Sequence, residues 1–158
     1  MATGDDDFRF AYVQGSVSRD ITKSLSMQLQ CAGQHAFTEL PSALRFNIGS
    51  EPYARAFESG AVNGDDAAGV AFELRQAIKT SMSWLKDLSL LGFVDYGAVW
   101  NPPDRNYSFA SLGSYGGGVR AVIGKHFNTA AYVAKPYEDE KDLDLETYRF
   151  RFAVAAQF

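Results

Sequence analysis

Residues 68–75 alternate without a fault. Ala68, Val70, Phe72 and Leu74 fall on one side of an extended chain, with Gly69, Ala71, Glu73 and Arg75 on the other. Successive side chains of a strand point to opposite faces, so the segment divides an apolar medium from one that accepts charge. Two architectures fit. In a soluble sandwich the apolar face meets a protein core, and in a membrane barrel it meets lipid around a water-filled lumen.

The same period recurs along the chain. Leu25, Met27, Leu29 and Cys31 oppose Ser26, Gln28 and Gln30; Val94, Tyr96, Ala98 and Trp100 oppose Asp95 and Gly97. Tyr115, Val119, Ala121 and Ile123 oppose Arg120, and Tyr148, Phe150, Phe152, Val154 and Phe158 oppose Arg149, Arg151, Ala153 and Gln157. Phe8–Ser18 and Phe127–Lys135 are less regular strand candidates. Turn residues separate the runs at Arg19-Asp20, Asn101-Pro102-Pro103-Asp104, Gly124-Lys125 and the acidic stretch from Glu138 to Asp144. About seven strands result, each near the roughly 9–11 residues that cross a bilayer at a tilt. Residues 77–86 read as a short helical turn or a loose turn.

Composition narrows the classes. The chain has 158 residues, enough for one core, and 14% of them are aromatic. No apolar run reaches the roughly 18 residues that a membrane helix needs. A net charge of -4 leaves no basic stripe for nucleic acid. Cys31 stands alone and cannot form an internal disulfide. The opening MATGDDDFRF has neither a basic region nor an apolar one, so no signal peptide is expected.

Connection lengths favour the membrane. Counted back from residue 158, the links run long, short, long, intermediate, very long (His35–Ala67) and short. Transmembrane barrels alternate short inner turns with long outer loops in this way. Arginines stand in mid-strand between aromatics in Tyr148-Arg149-Phe150-Arg151-Phe152, and an aromatic closes the sequence at Phe158. A soluble β-sandwich binding module, its arginines facing water, stays open on these grounds.

Four ordered segments carry a family resemblance. Phe46-Asn47-Ile48-Gly49 resembles the F-x-(I/L)-G-G that opens a long inward-folded loop, with Ser50 at the second glycine. Tyr53-Ala54-Arg55-Ala56-Phe57 resembles the V-R-G-(F/Y) tip of that loop, in an R-A-F form. Gly64-Asp65 followed by Glu73-Leu74-Arg75 is similar to G-D…E-L-R, and Phe93-Val94-Asp95-Tyr96-Gly97 to F-x-D-x-G. Ala134-Lys135-Pro136 and the final Phe158 complete the set. The chain thus resembles the C-terminal barrel region of ShlB/FhaC/HecB two-partner secretion transporters, outer-membrane barrels that follow periplasmic POTRA domains.

That resemblance implies an all-β, antiparallel transmembrane β-barrel, of which residues 1–158 supply about the last seven meander strands and one inward-folded loop, without a POTRA domain. It implies a Gram-negative outer-membrane pore that exports an unfolded partner protein of haemolysin or adhesin type. The lipid bilayer, the secreted protein and the barrel-assembly machinery are the expected partners. The loop tip (Tyr53, Arg55, Ala56, Phe57) lies in the lumen, with Asp95 as the partner of Arg55. Gly64, Asp65, Glu73 and Arg75 mark the strand motif, and Tyr148, Phe150, Phe152 and Phe158 the assembly signal. A barrel-assembly factor of the same superfamily is the alternative; its usual G-P-(I/L/V)-R hairpin is replaced here by Gly124-Lys125-His126-Phe127-Asn128.

Other features read as structural. His35 and His126 lack ligands at metal spacing, and neither Asp5-Asp6-Asp7 nor Glu138-Asp139-Glu140 has the pattern of a calcium loop. Gly116-Gly117-Gly118 precedes a strand with no Lys-Ser/Thr after it, so a kinked barrel strand is expected rather than a phosphate loop. No Ser/His/Asp set suggests an enzyme, and neither cofactor nor metal is expected. An odd strand number beginning on the outer side points to part of a barrel.

Overall fold

The computed structural model describes residues 7–49, 51–102, 108–124, 126–139 and 148–156. Seven long strands form one open antiparallel sheet: β1 (Phe10–Asp20), β2 (Leu25–Ala36), β5 (Asp66–Ala77), β6 (Leu85–Asn101), β7 (Ser108–Ile123), β8 (Phe127–Asp139) and β9 (Arg149–Ala156). Each pairs with its neighbours in that order, so the sheet is a meander. Two short strands, β3 (Phe46–Ile48) and β4 (Val62–Gly64), pair within the long loop between β2 and β5.

Burial distinguishes the two sheet faces and decides between the two architectures. The apolar sides of the alternating strands are open: Val70 is 40% exposed, Val94 44%, Val119 40% and Phe150 80%. Glu73 and Asp95, on the opposite face, are 4% and 1% exposed. A soluble sandwich buries the apolar face and wets the charged one, and this sheet does the reverse. Among the described residues no second sheet covers the apolar face, since β3 and β4 pack on the charged one. An apolar exterior around a polar interior is the barrel pattern.

The loop supplies the core that the inner face lacks. Ile48, Ala54, Ala56, Phe57 and Val62 pack with Ala67, Leu91, Phe93, Val99, Ala110, Leu112 and Ala134 of the sheet. Close approach requires glycine at two sheet positions. A Cβ at Gly69 would lie 2.9 Å from the Tyr53 ring, and one at Gly97 would lie 2.5 Å from Ile48 Cδ1.

Several boundaries differ from the expectation, each because strand pairing outweighs local turn chemistry. Arg19 and Asp20 belong to β1, opposite Met27 and Ser26, and the turn lies at 21–24, where Thr22 Oγ1 accepts the Ser24 and Leu25 N–H groups. Tyr137, Glu138 and Asp139 continue β8 rather than opening a loop. Residues 78–84 form a non-helical link, pinned by Ile78 N–H to the Leu88 carbonyl at 2.8 Å. β6 and β7, at 17 and 16 residues, are longer than a bilayer crossing needs, because each continues the other's hydrogen-bond ladder out to Asn101 and Ser108. The expected terminal aromatic, Phe158, lies outside the described residues, as do Asp5, Asp6 and Lys125.

Candidate functional site

Strand register assembles the site. Ala71, Asp95, Ser114 and Pro136 stand opposite one another in one row across β5, β6, β7 and β8. Glu73, Phe93, Gly116, Ala134 and Arg149 form the next row, and Arg75, Leu91, Gly118, Tyr132 and Arg151 the one after. Because strands alternate, all these side chains share the inner face. Asp66 to Glu73 is a descent of about 23 Å at roughly 3.3 Å per residue, so the rows lie deep in the sheet.

The loop reaches down to them. Gly49 adopts φ 121°, and a Cβ there would strike the Glu58 carbonyl at 1.9 Å, which brings the two limbs of the loop together. Ala54 takes a left-handed φ of 62°, and its carbonyl accepts the Phe57 N–H at 3.0 Å. This tight turn presents Arg55 at the tip. A non-glycine residue in that conformation costs about 1–2 kcal/mol, which complete burial of the Ala54 methyl helps to offset.

Arg55 is 2% exposed and divides its contacts between two carboxylates. Its Nη1 donates to Glu73 Oε2 at 2.9 Å. Its Nε lies 3.4 Å from Asp95 Oδ2, an ion contact without hydrogen-bond geometry. The backbone N–H of Arg55 donates to Asp95 Oδ1 at 3.2 Å, and the guanidinium sits 4.2 Å from the Phe93 ring centroid. Ser114 donates its hydroxyl to Asp95 and accepts the Ala56 N–H at 3.2 Å. Thus Asp95 holds the tip mainly through its backbone, while Glu73 takes the strongest side-chain bond. Arg75 at 2.9 Å and Arg120 at 3.5 Å also reach Glu73.

The remaining motif residues frame this centre. The Tyr53 ring lies flat on Gly69 and tilts towards Phe46 at 6.3 Å; burial raises the pKa of its phenol. Phe57 is buried, and its carbonyl accepts from Arg151 at 2.9 Å. Gly64 ends β4 against Val99 and Trp100. Asp65 stays at the loop's exit, paired with Arg45 at 3.1 Å, far from Arg55 in the chain's descent. Tyr148, Phe150 and Phe152 lie on the outer face and make no part of the buried centre. His35 pairs with Asp66 at 2.8 Å.

Ser114, Arg120 and Arg151 are site residues that the sequence does not mark as such. Alternation places the two arginines on the polar face, yet only pairing register tells which loop atom each one meets. Ser114 carries no signal of its own.

An antiparallel sheet with an apolar outer face, a polar inner face and a long loop packed against the inner one has the pattern of part of a transmembrane β-barrel. Residues 2–121 match the family described as haemolysin secretion/activation protein ShlB/FhaC/HecB, and the chain belongs to that family of outer-membrane two-partner secretion transporters. Among solved structures, CdiB from Escherichia coli superposes with a TM-score of 0.81 at 18% identity, over 94% of this chain and 27% of that one. At that identity the likeness is one of fold, and the chain spans about a quarter of the length of that structure. No curated protein matches the chain.

Proposed function

We propose that this chain forms part of an outer-membrane pore that exports an unfolded partner protein of haemolysin or adhesin type, with residues 37–65 as an internal latch. The observation that carries the reading is the burial of Arg55 between Asp95 and Glu73, deep on a polar inner face. A loop seated there occupies space that a translocating polypeptide needs. Its grip consists of a small apolar cluster and a few charge-assisted bonds, which a competing extended chain can replace one at a time. In this role Arg55 is the pin and Asp95, Glu73 and Ser114 its socket, while Tyr53, Ala56 and Phe57 fit the tip to the wall.

The surrounding features suit the same role. Val70, Leu74, Val94, Val119, Phe150 and Phe152 would face lipid. The amphipathic β9, with Tyr148 just before it, would serve as the strand read by the assembly machinery of a Gram-negative outer membrane. The reading contains no catalytic step.

A reversible lock tests it. Ala56→Cys and Ser114→Cys, introduced into the full-length transporter, place two thiols where the Ala56 N–H now meets Ser114 Oγ at 3.2 Å. Oxidation should stop export of the partner protein and reduction should restore it. Export that continues with the lock closed would overturn the latch.

A further inference from the structure

The glycine triplet of β7 has a place in the loop's attachment. Gly116 and Gly118 lie on the inner face, between Phe93 of β6 and Tyr132 of β8. A Cβ at Gly116 would lie 2.1 Å from the Val133 carbonyl oxygen and 2.6 Å from Phe93 Cζ, and one at Gly118 2.2 Å from the Ala131 carbonyl oxygen and 2.5 Å from Tyr132 Cβ. With no side chains between them, the two rings meet edge to face across β7, centroids 5.5 Å apart. Phe93 carries the Arg55 guanidinium on its face. Tyr132 stands directly opposite Arg151 of β9, and Arg151 returns to the loop by donating to the Phe57 carbonyl. These contacts, with the cross-strand pairing of Tyr132 and Arg151 as the remaining link, run in a circuit through Arg55, Phe93, Tyr132, Arg151 and Phe57. A second strand-to-loop tie joins Arg149 to Glu58 at 3.5 Å.

We propose that Gly116–Gly118 form a saddle over which Phe93 and Tyr132 carry the loop latch to β9, making Arg151 a positioning residue for the loop and coupling loop withdrawal to the loosening of β9. This deepens the latch reading and rests on it. Among the described residues β9 pairs with β8 at eight positions and β5 with β6 at twelve. β9 is the edge of the sheet, paired with β8 alone among the described strands, so two arginine contacts with the loop give it a second hold. Residues 55–58 therefore staple β5, β6, β7 and β9 together, and withdrawing the tip removes the ties to all four strands at once.

The test uses the full-length transporter, cysteine-free except for Ala56→Cys, in detergent or reconstituted in lipid. Position 56 is 6% exposed, so a bulky maleimide reacts only when the tip leaves its seat. Arg151→Ala should speed labelling about tenfold, the effect of one lost charge-assisted bond. Arg151→Lys keeps a donor and should recover most of the slow rate. Tyr132→Ala should speed labelling too, and adding Arg151→Ala to it should give less than the product of the two effects. Heat-modified mobility on gels confirms that each variant is folded, and Arg151→Gln replaces Arg151→Ala if the latter does not assemble. Unchanged labelling in Arg151→Ala beside faster labelling in Arg55→Ala would overturn the coupling and leave the latch standing. Unchanged labelling in both would overturn the latch itself.

Discussion

At the scale of single residues, the balance of charge at the loop tip sets what each substitution does. Arg55 is the cation paired with Asp95 among the described residues, whereas Glu73 also has Arg75 and Arg120. Arg55→Ala therefore strands Asp95 more completely than Glu73. Breaking a buried ion pair costs about 3–5 kcal/mol because the remaining charge is uncompensated. Arg55→Ala should unseat the loop, seen as faster proteolysis within residues 37–65 and altered single-channel conductance. Adding Asp95→Asn removes the stranded charge while keeping an acceptor for Ser114, so the double variant should resist proteolysis better than Arg55→Ala alone. Adding Glu73→Gln should bring no such recovery. Equal recovery from both would show that the two carboxylates are interchangeable, contrary to the geometry. Asp95 and Arg55 stand out in the sequence through the motifs they sit in. Ser114 does not, because a serine in a glycine-rich strand becomes a socket residue only when register sets it opposite Asp95.

At the scale of elements, the sheet's two faces answer to different solvents. Gly69→Val would drive a side chain into the Tyr53 ring, and Gly97→Val into Ile48. Overpacking of this kind costs about 1–3 kcal/mol, and here it falls on the loop's seating rather than on strand pairing. The measurement is again proteolysis of the loop, with β-sheet circular dichroism expected to hold constant. The outer face should respond in the opposite way. Phe152→Arg leaves the loop untouched and puts a charge on the open apolar face, costing about 2–4 kcal/mol if the residue sits near the middle of the bilayer. Folding into lipid vesicles should fall while loop protection in the folded fraction stays the same. The strands themselves are legible in the sequence, since a sustained period of two matches the pleat of an extended chain and not the turn of a helix. Their ends are not. Arg19, Asp20 and Tyr137 have turn-like surroundings in the sequence, yet their backbone groups complete ladders with the neighbouring strand.

At the scale of the whole molecule, the sheet is open, with β1 and β9 each paired on one side. Every described residue of β1 is exposed. Unpaired edges and an uncovered apolar face both promote association in water. The 158-residue chain made alone should therefore sediment as large aggregates in plain buffer and disperse in detergent. A monomer in detergent-free buffer at equilibrium would contradict the membrane assignment of the outer face.

The amino-acid order by itself determined a main sheet of about seven strands and the family, whose resemblance implied the antiparallel class, because a period of two and short ordered motifs are written locally. It also showed that one face of each strand is charged and the other apolar. Which face is buried was settled only by the tertiary structure, since burial depends on where a distant loop lands. The same is true of the arginine at the loop tip. Its motif marked Arg55, but the division of its guanidinium between Asp95 and Glu73, the Ser114 bridge and the route over Gly116–Gly118 to Arg151 exist only where strand register and the folded loop bring together residues up to 94 positions apart.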